Sequence, residues 1–484
     1  MPKPVTKQIK LCFFETACTG NHLSPGQWRD ENDNSRSKDR IDYWLNVARL
    51  AEKGKVLAVF FADAYGQHTI YGGNADAIFA SGTQVAQFDP MILVPAMASV
   101  TKSVSFGVTG STSYLNPYIL ARTYAGMDHL SQGRVAWNVV TSWSKSAAHA
   151  LGQEDVTPHD ERYASAHEYM DVCYKLWESS WADDAQVWDR ERRVAYDPAK
   201  IRKIEHNGKY FNINGTHQTH PSPQRTPLIF QAGSSKAGQG FAAKHAEAIF
   251  IGGLIPKHTT EAVKSIRKSA TENGRDPTSI KIFASMNPIL GRTLEEAQAK
   301  YKRALENADI VGALAQFSGF TGIDMSKYPL DEPFQLTGKP GENTVQSLIR
   351  DFQGGAGEKG DEVWTPRRLG ECMCFGGLHP APVGTAEMIA DAMQEWVDVA
   401  DVDGFNISYT SNPASFEDVV ELLIPELQRR GMYWKDYAVP GGTMRENMYE
   451  EKGASKLRSD HYGSKFKYDT YWGKASGTNG INGH

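Results

Sequence analysis

Short apolar runs bounded by turn residues recur eight times along the chain, and most are followed by a stretch with helical periodicity. The runs are Lys10 to Phe14, Val56 to Ala62, Ser103 to Thr109, Arg134 to Val140, Pro227 to Ala232, Ala246 to Gly252, Lys281 to Leu290 and Val402 to Tyr409. Near-continuous apolar character marks strands covered on both faces, which is the habit of parallel sheets. The alternation with helices predicts an α/β fold of eight βα units closed into a TIM (β/α)8 barrel.

The helical periods carry start and stop signals. Ile41, Trp44, Leu45, Ala48 and Ala51 share a face, and Gly54 ends that helix before the second strand. Ala121 to Leu130 reads as a helix stopped by Ser131, Gln132 and Gly133. Thr293 and Glu296 have capping-box spacing. Thr385 is placed to cap a helix with a Met388, Ile389, Ala392, Met393 and Trp396 stripe. Phe416 to Arg430, ended by Gly431, closes the ring.

Two connections exceed a simple crossover. Residues 143–226 predict one helix, Arg162 to Trp177, and a polar, aromatic-containing hairpin. Residues 292–400 predict at least two helices and a loop from Phe317 to Gly322. Long insertions at the carboxyl face of a barrel build lids and pocket walls. The expected organisation is a barrel over 1–431 and an arm over 432–484, wrapping a neighbouring subunit and disordered from Gly473 onward.

Composition narrows the class. A chain of 484 residues with 40% hydrophobic content supports a large core, and a net charge of −5 provides no basic field for nucleic acid or an anionic membrane. No run of 18 apolar residues occurs, and Met1 to Lys7 lacks the apolar centre of a signal peptide. Five cysteines fit a reducing compartment. A cytoplasmic location without membrane or nucleic-acid partners is the expectation. His217 and His220 lack a supporting ligand motif, and Cys372 with Cys374 lacks the two-residue spacing of a thiolate pair, so no metal site is expected.

Candidate chemistry gathers at strand ends. Asp63 closes the second strand at the barrel mouth, either as a ligand contact or as the cap of a following helix. Thr109 ends the third strand. Asn138, Thr141 and Ser142 cluster at the end of the fourth, where ligand sites on parallel sheets form. Gln231-Ala-Gly-Ser-Ser235 ends the fifth strand and opens a helix, so Ser234 and Ser235 lie where unpaired N–H groups and the helix dipole favour a phosphate. His159 and Tyr163, four residues apart, share a helix face. Neither a Walker sequence nor a G-x-S-x-G elbow occurs.

Six unlinked stretches in fixed order carry a resemblance: Phe60 to Asp63, Ala121 to Ser142, His159 to Tyr163, Pro221 to Pro227, Gln231 to Ser235 and Asp403 to Asn406. Over roughly residues 8 to 445 the chain resembles the luciferase-like flavin monooxygenases of the nitrilotriacetate and dibenzothiophene-sulfone group, and within it the long-chain alkane branch. The resemblance implies a bacterial luciferase-like barrel and a two-component monooxygenase. Such an enzyme takes reduced FMN (FMNH₂) from a separate NAD(P)H:flavin reductase and inserts one atom of O₂ into a small organic substrate, a sulfur compound, alkane or heterocycle. It assigns cofactor contacts to Asp63, Thr109, Asn138, His159, Tyr163, Ser234 and Ser235, and implies a homodimer or homotetramer. Cys18 and His68 become candidates for the reacting side, Cys18 with an inert buried thiol as the competing reading and His68 with a plain wall residue. Asn21, Trp143 and Gln316 stand where the alkane branch carries histidines, which separates this substrate pocket from that branch. A deazaflavin-dependent oxidoreductase, a non-catalytic flavin-binding barrel and a metal-dependent hydrolase are the alternatives.

Overall fold

The structure, a computed structural model, describes residues 7–233, 235–334, 364–377 and 379–478. Eight parallel strands close a barrel: β1 (Lys10–Thr16), β2 (Ala58–Ala62), β3 (Ser105–Ser111), β4 (Val135–Val140), β5 (Leu228–Gln231), β6 (Ala248–Ile251), β7 (Lys281–Met286) and β8 (Gly404–Ile407). Each pairs with its sequence neighbours, and β8 returns to β1 through Lys10 opposite Gly404. All eight coincide with the apolar runs because each run is buried from both sides. The lumen is filled by aromatic rings. Phe60 lies 4.3 Å from Phe250, which stacks on Phe230 at 4.9 Å. Gly107 makes room for them, since a Cβ there would stand 3.1 Å from Phe60 Cδ2.

Several helix boundaries differ from the periodicity, each for a packing reason. The helix Ile41–Lys53 ends at Gly54, but Gly54 is right-handed and Lys55 takes the positive φ. Glycine is needed at 54 because a Cβ would meet Val420 Cγ2 at 2.8 Å. Thr293 accepts the Glu296 N–H at 3.2 Å, while the Glu296 carboxylate reaches Arg292 N–H instead of closing the box. Thr385 makes no side-chain cap, and Met388 faces out as Ile389, Ala390, Met393 and Trp396 turn inward. Phe317 to Thr321 belongs to the helix Ile310–Thr321 rather than to a loop. There the hydroxyls of Ser318 and Thr321 donate to carbonyls four residues earlier, which lets polar residues sit inside a buried helix.

The first insertion begins its helix at His159, runs to Tyr174 and continues through a wide turn to Ser179; a short helix, Lys145–Ala150, precedes it. Two hairpins follow, Gln186–Asp189 with Val194–Tyr196 and Ile204–Asn207 with Asn212–Gly215, where one was expected. The segment after Met432 folds onto its own barrel. Buried Arg445 grips Glu247 at 2.7 and 2.9 Å and the Thr226 carbonyl at 3.0 Å, next to the starts of β6 and β5. A helix, Tyr468–Thr478, takes in residues 473–478 of the stretch expected to be disordered, and the rest of that stretch lies outside the described residues. Among the described residues no helix is long and apolar enough to cross a membrane.

Candidate active site

The carboxyl ends of the strands open into one cavity of about 900 Å³, a size within the usual range of cofactor pockets. Asp63, His68, His159, Tyr163 and Ser235 line it together, although they come from three separate parts of the chain. Ser234 lies outside the described residues.

At one end the helix Lys236–His245 points its first turn at the cavity. Ser235 caps it, accepting the Gly238 N–H at 3.1 Å. The other first-turn N–H groups have no intrahelical acceptor, and the dipole adds partial positive charge. The Tyr163 hydroxyl stands over this turn, where a Cβ on Gly233 or Gly238 would approach it to 2.6 or 2.8 Å. Both glycines are thus required for backbone to approach so closely. The His159 ring packs 5.1 Å from that of Tyr163, with Nδ1 2.8 Å from Asp160 Oδ1. Arg162 and Lys236 also line this end and supply cationic groups that the sequence pattern did not single out. Their signal was position, one turn along from His159 and at the first residue after the Ser235 cap.

Gln231 closes β5 and lines the cavity, while Asn138, two residues before the end of β4, lies next to cavity-lining Val139 without lining the cavity itself. Gln231 Oε1 and Asn138 Oδ1 are buried with no hydrogen-bond partner, which is unusual enough to mark a ligand site. Thr109 does not line the cavity. Its hydroxyl donates to the Phe61 carbonyl at 2.8 Å and accepts from Asn138 Nδ2 at 2.8 Å, so it orients Asn138.

Asp63 caps no helix. Its Oδ1 accepts from Ala64 N–H at 2.9 Å and Gln87 Nε2 at 2.5 Å. Burial, with Asp89 nearby, raises its pKa to about 7 against these two opposing bonds. On the far wall, His68 Nε2 lies 3.1 Å from Gln84 Oε1 and its ring meets Phe320 edge-on at 4.8 Å. Burial lowers the His68 pKa, opposed by the Gln84 bond, so the ring is neutral at pH 7. Cys18 does not reach the cavity. It is buried, donates to the Gly20 carbonyl at 2.8 Å, and burial raises its pKa, which describes an inert thiol. Among the described residues no cluster of His, Cys, Asp or Glu could hold a metal ion.

A TIM barrel with a cavity at the carboxyl ends of its strands, bordered by a capped helix N-terminus and a buried, unpaired amide, has the form of a small-molecule binding site. The chain belongs to the luciferase-like monooxygenase family, whose profile matches residues 14–402. It is 41% identical to the long-chain alkane monooxygenase of Geobacillus thermodenitrificans, over 96% of this chain and 99% of that one. The crystal structure of DmoA from Hyphomicrobium sulfonivorans matches with a TM-score of 0.89 at 38% identity, covering 98% of this chain and 99% of that one. A riboflavin lyase solved with modified FMN and riboflavin matches with a TM-score of 0.86 at 35% identity, covering 95% and 100%.

Proposed function

We propose that this monooxygenase is the oxygenase of a two-component system. It binds reduced FMN delivered by a separate NAD(P)H:flavin reductase and adds one oxygen atom of O₂ to a small organic substrate. The observation that carries the cofactor is the cradle of Tyr163, Gly233 and the Ser235-capped helix, which suits a terminal phosphate. His159 and Arg162 would complete the phosphate end, and cavity-lining Gln231, with Asn138 behind Val139, would offer unpaired oxygens to the hydroxyl chain or ring N–H groups. Asp63 lines the same cavity and would meet the ring, where its near-neutral titration would let it accept or donate.

Bound FMNH₂ supplies the two electrons that reduce O₂, one oxygen atom entering the substrate and the other leaving as water. The protein positions the reactants and excludes water. Trp143 and Phe320 keep the far wall apolar around His68, which acts as a neutral hydrogen-bond partner on the reacting side. We assign Cys18 a packing role. The same reading makes it a cytoplasmic homo-oligomer.

Anaerobic titration with reduced FMN, followed by mixing with oxygenated buffer, tests the proposal. Saturable binding is expected, with flavin reoxidation slower than in free solution and no oxidation of NAD(P)H until a reductase is added. Failure to bind reduced FMN refutes it.

A further inference from the structure

Beyond the His68 wall lies a polar cluster that neither the fold nor the cofactor site uses. Asn21 and His22 follow β1, Asn287 follows β7, Gln316 lies on the helix Ile310–Thr321, and His379 follows the helix Pro366–Met373. Strands β7, β8, β1 and β2 form one half of the ring, across from Ser235 after β5. The group is knit together. Gln316 Nε2 donates to the His22 carbonyl at 2.7 Å and lies 3.4 Å from Gln84 Oε1, the atom that also meets His68. Gln84 N–H donates to the Asn21 carbonyl at 3.3 Å, and Asn287 N–H to the Pro380 carbonyl at 2.8 Å.

Six side-chain atoms in this cluster are nevertheless buried without a partner: Asn21 Oδ1 and Nδ2, His22 Nδ1, Asn287 Oδ1, Gln316 Oε1 and His379 Nδ1. Asn21, Asn287 and Gln316 are at most 1% exposed. Buried polar groups are almost always paired, so such a concentration marks a missing ligand group. None of these side chains is charged: burial lowers the pKa of His22 to about 3 and of His379 to about 4. Lys38, the cation that acts on His22, is spent on Glu15 and Tyr409. The Phe320 ring borders both cluster and cavity. It lines the cavity and packs on His68 at 4.8 Å, Trp143 at 6.0 Å and His22 at 6.3 Å.

We propose that this cluster recognises the substrate once the Phe320 ring turns aside, and that the substrate is uncharged and presents an N–H beside a C=O, as a lactam, imide or ring urea does. The inference rests on the monooxygenase reading. Asn21 has both halves of its amide unpaired, which is the complement of such an edge, and the remaining acceptors take further N–H or O–H groups. A saturated alkane or a thioether would leave all six atoms unpaired. Sites built to hydrogen-bond a substrate reject analogues lacking the partner by factors on the order of 10⁴. A polycarboxylate would meet no cation here.

Calorimetric binding of 2-quinolone and of N-methyl-2-quinolone to the full-length protein, with and without FMN, tests this. The N–H compound should bind at least about tenfold more tightly, the usual scale for one lost hydrogen bond to a buried group. Asn21→Leu should bring the ratio close to one while leaving FMN affinity intact, and Gln316→Met, which keeps the Asn21 amide, should retain the preference. Equal affinity for the two compounds in the unsubstituted protein, or binding of neither, overturns the inference. Because FMN binding is read in the same samples, its loss would refute the cofactor reading instead.

Discussion

The carboxyl of Asp63 titrates near neutrality because burial and Asp89 together outweigh the bonds from Ala64 and Gln87. Its folded pKa of about 7 lies above the ordinary 3.8, so the folded protein holds more protons than the unfolded chain between those values. Stability therefore falls as pH rises from about 4 through about 7. Asp63→Asn removes this slope and should stabilise the protein by on the order of 2 kcal/mol at pH 8, after allowing for solvent screening, with little gain at pH 4. Thermal melts at the two pH values check it, and an unchanged slope would locate the titration elsewhere. The same substitution should flatten the dependence of reduced-FMN affinity on pH between 6 and 8. Residue types and spacing brought out Asp63, His159, Tyr163 and Ser235. They could not separate Cys18 from the cavity, because only the folded loop shows its thiol turned to the Gly20 carbonyl. Nor could they show that Thr109 is spent on Phe61 and Asn138.

At the level of elements, a buried ion pair helps to hold the arm after the barrel. Arg445 and Glu247 are at most 1% exposed and share two hydrogen bonds. Burial alone would raise the Glu247 pKa, yet Arg445 holds it below the usual carboxylate value. Arg445→Met strands that carboxylate and should cost about 3–5 kcal/mol, read as a lower urea midpoint. A change below about 1 kcal/mol would mean that solvent reaches Glu247. The cradle helix makes the complementary prediction for binding. Gly233→Ala drives a methyl group against the Tyr163 hydroxyl, so FMN affinity should fall at least about tenfold while the unliganded melting temperature changes little. Equilibrium titration of FMN fluorescence measures it. Helix boundaries were the least legible elements. Ser318, Gly319 and Thr321 read as a loop by composition, yet back-bonding hydroxyls keep the helix intact. Gly319 is there because a Cβ would stand 2.5 Å from His68 Cβ.

For the molecule as a whole, a cofactor held between β2, β4, β5 and the first insertion should couple those parts. FMN at 100 times its Kd should stabilise the fold by about 2.7 kcal/mol and raise the melting temperature, and a tenfold weaker Kd in Gly233→Ala should cut that gain to about 1.4 kcal/mol at the same concentration. A melting temperature indifferent to FMN would refute the cradle. The sequence by itself determined the eight strands, their parallel order and the family, because a strand buried on both faces must be apolar throughout and can be read one run at a time. It also marked the residues at strand ends that border the cavity. Only the tertiary structure decided which of those side chains meet. It placed Arg162 and Lys236 beside Tyr163, withdrew Cys18, folded the arm onto its own barrel, and gathered Asn21, His22, Gln316 and His379 behind Phe320. Such contacts depend on how insertions separated by hundreds of residues pack over one barrel mouth, and local periodicity carries no term for that.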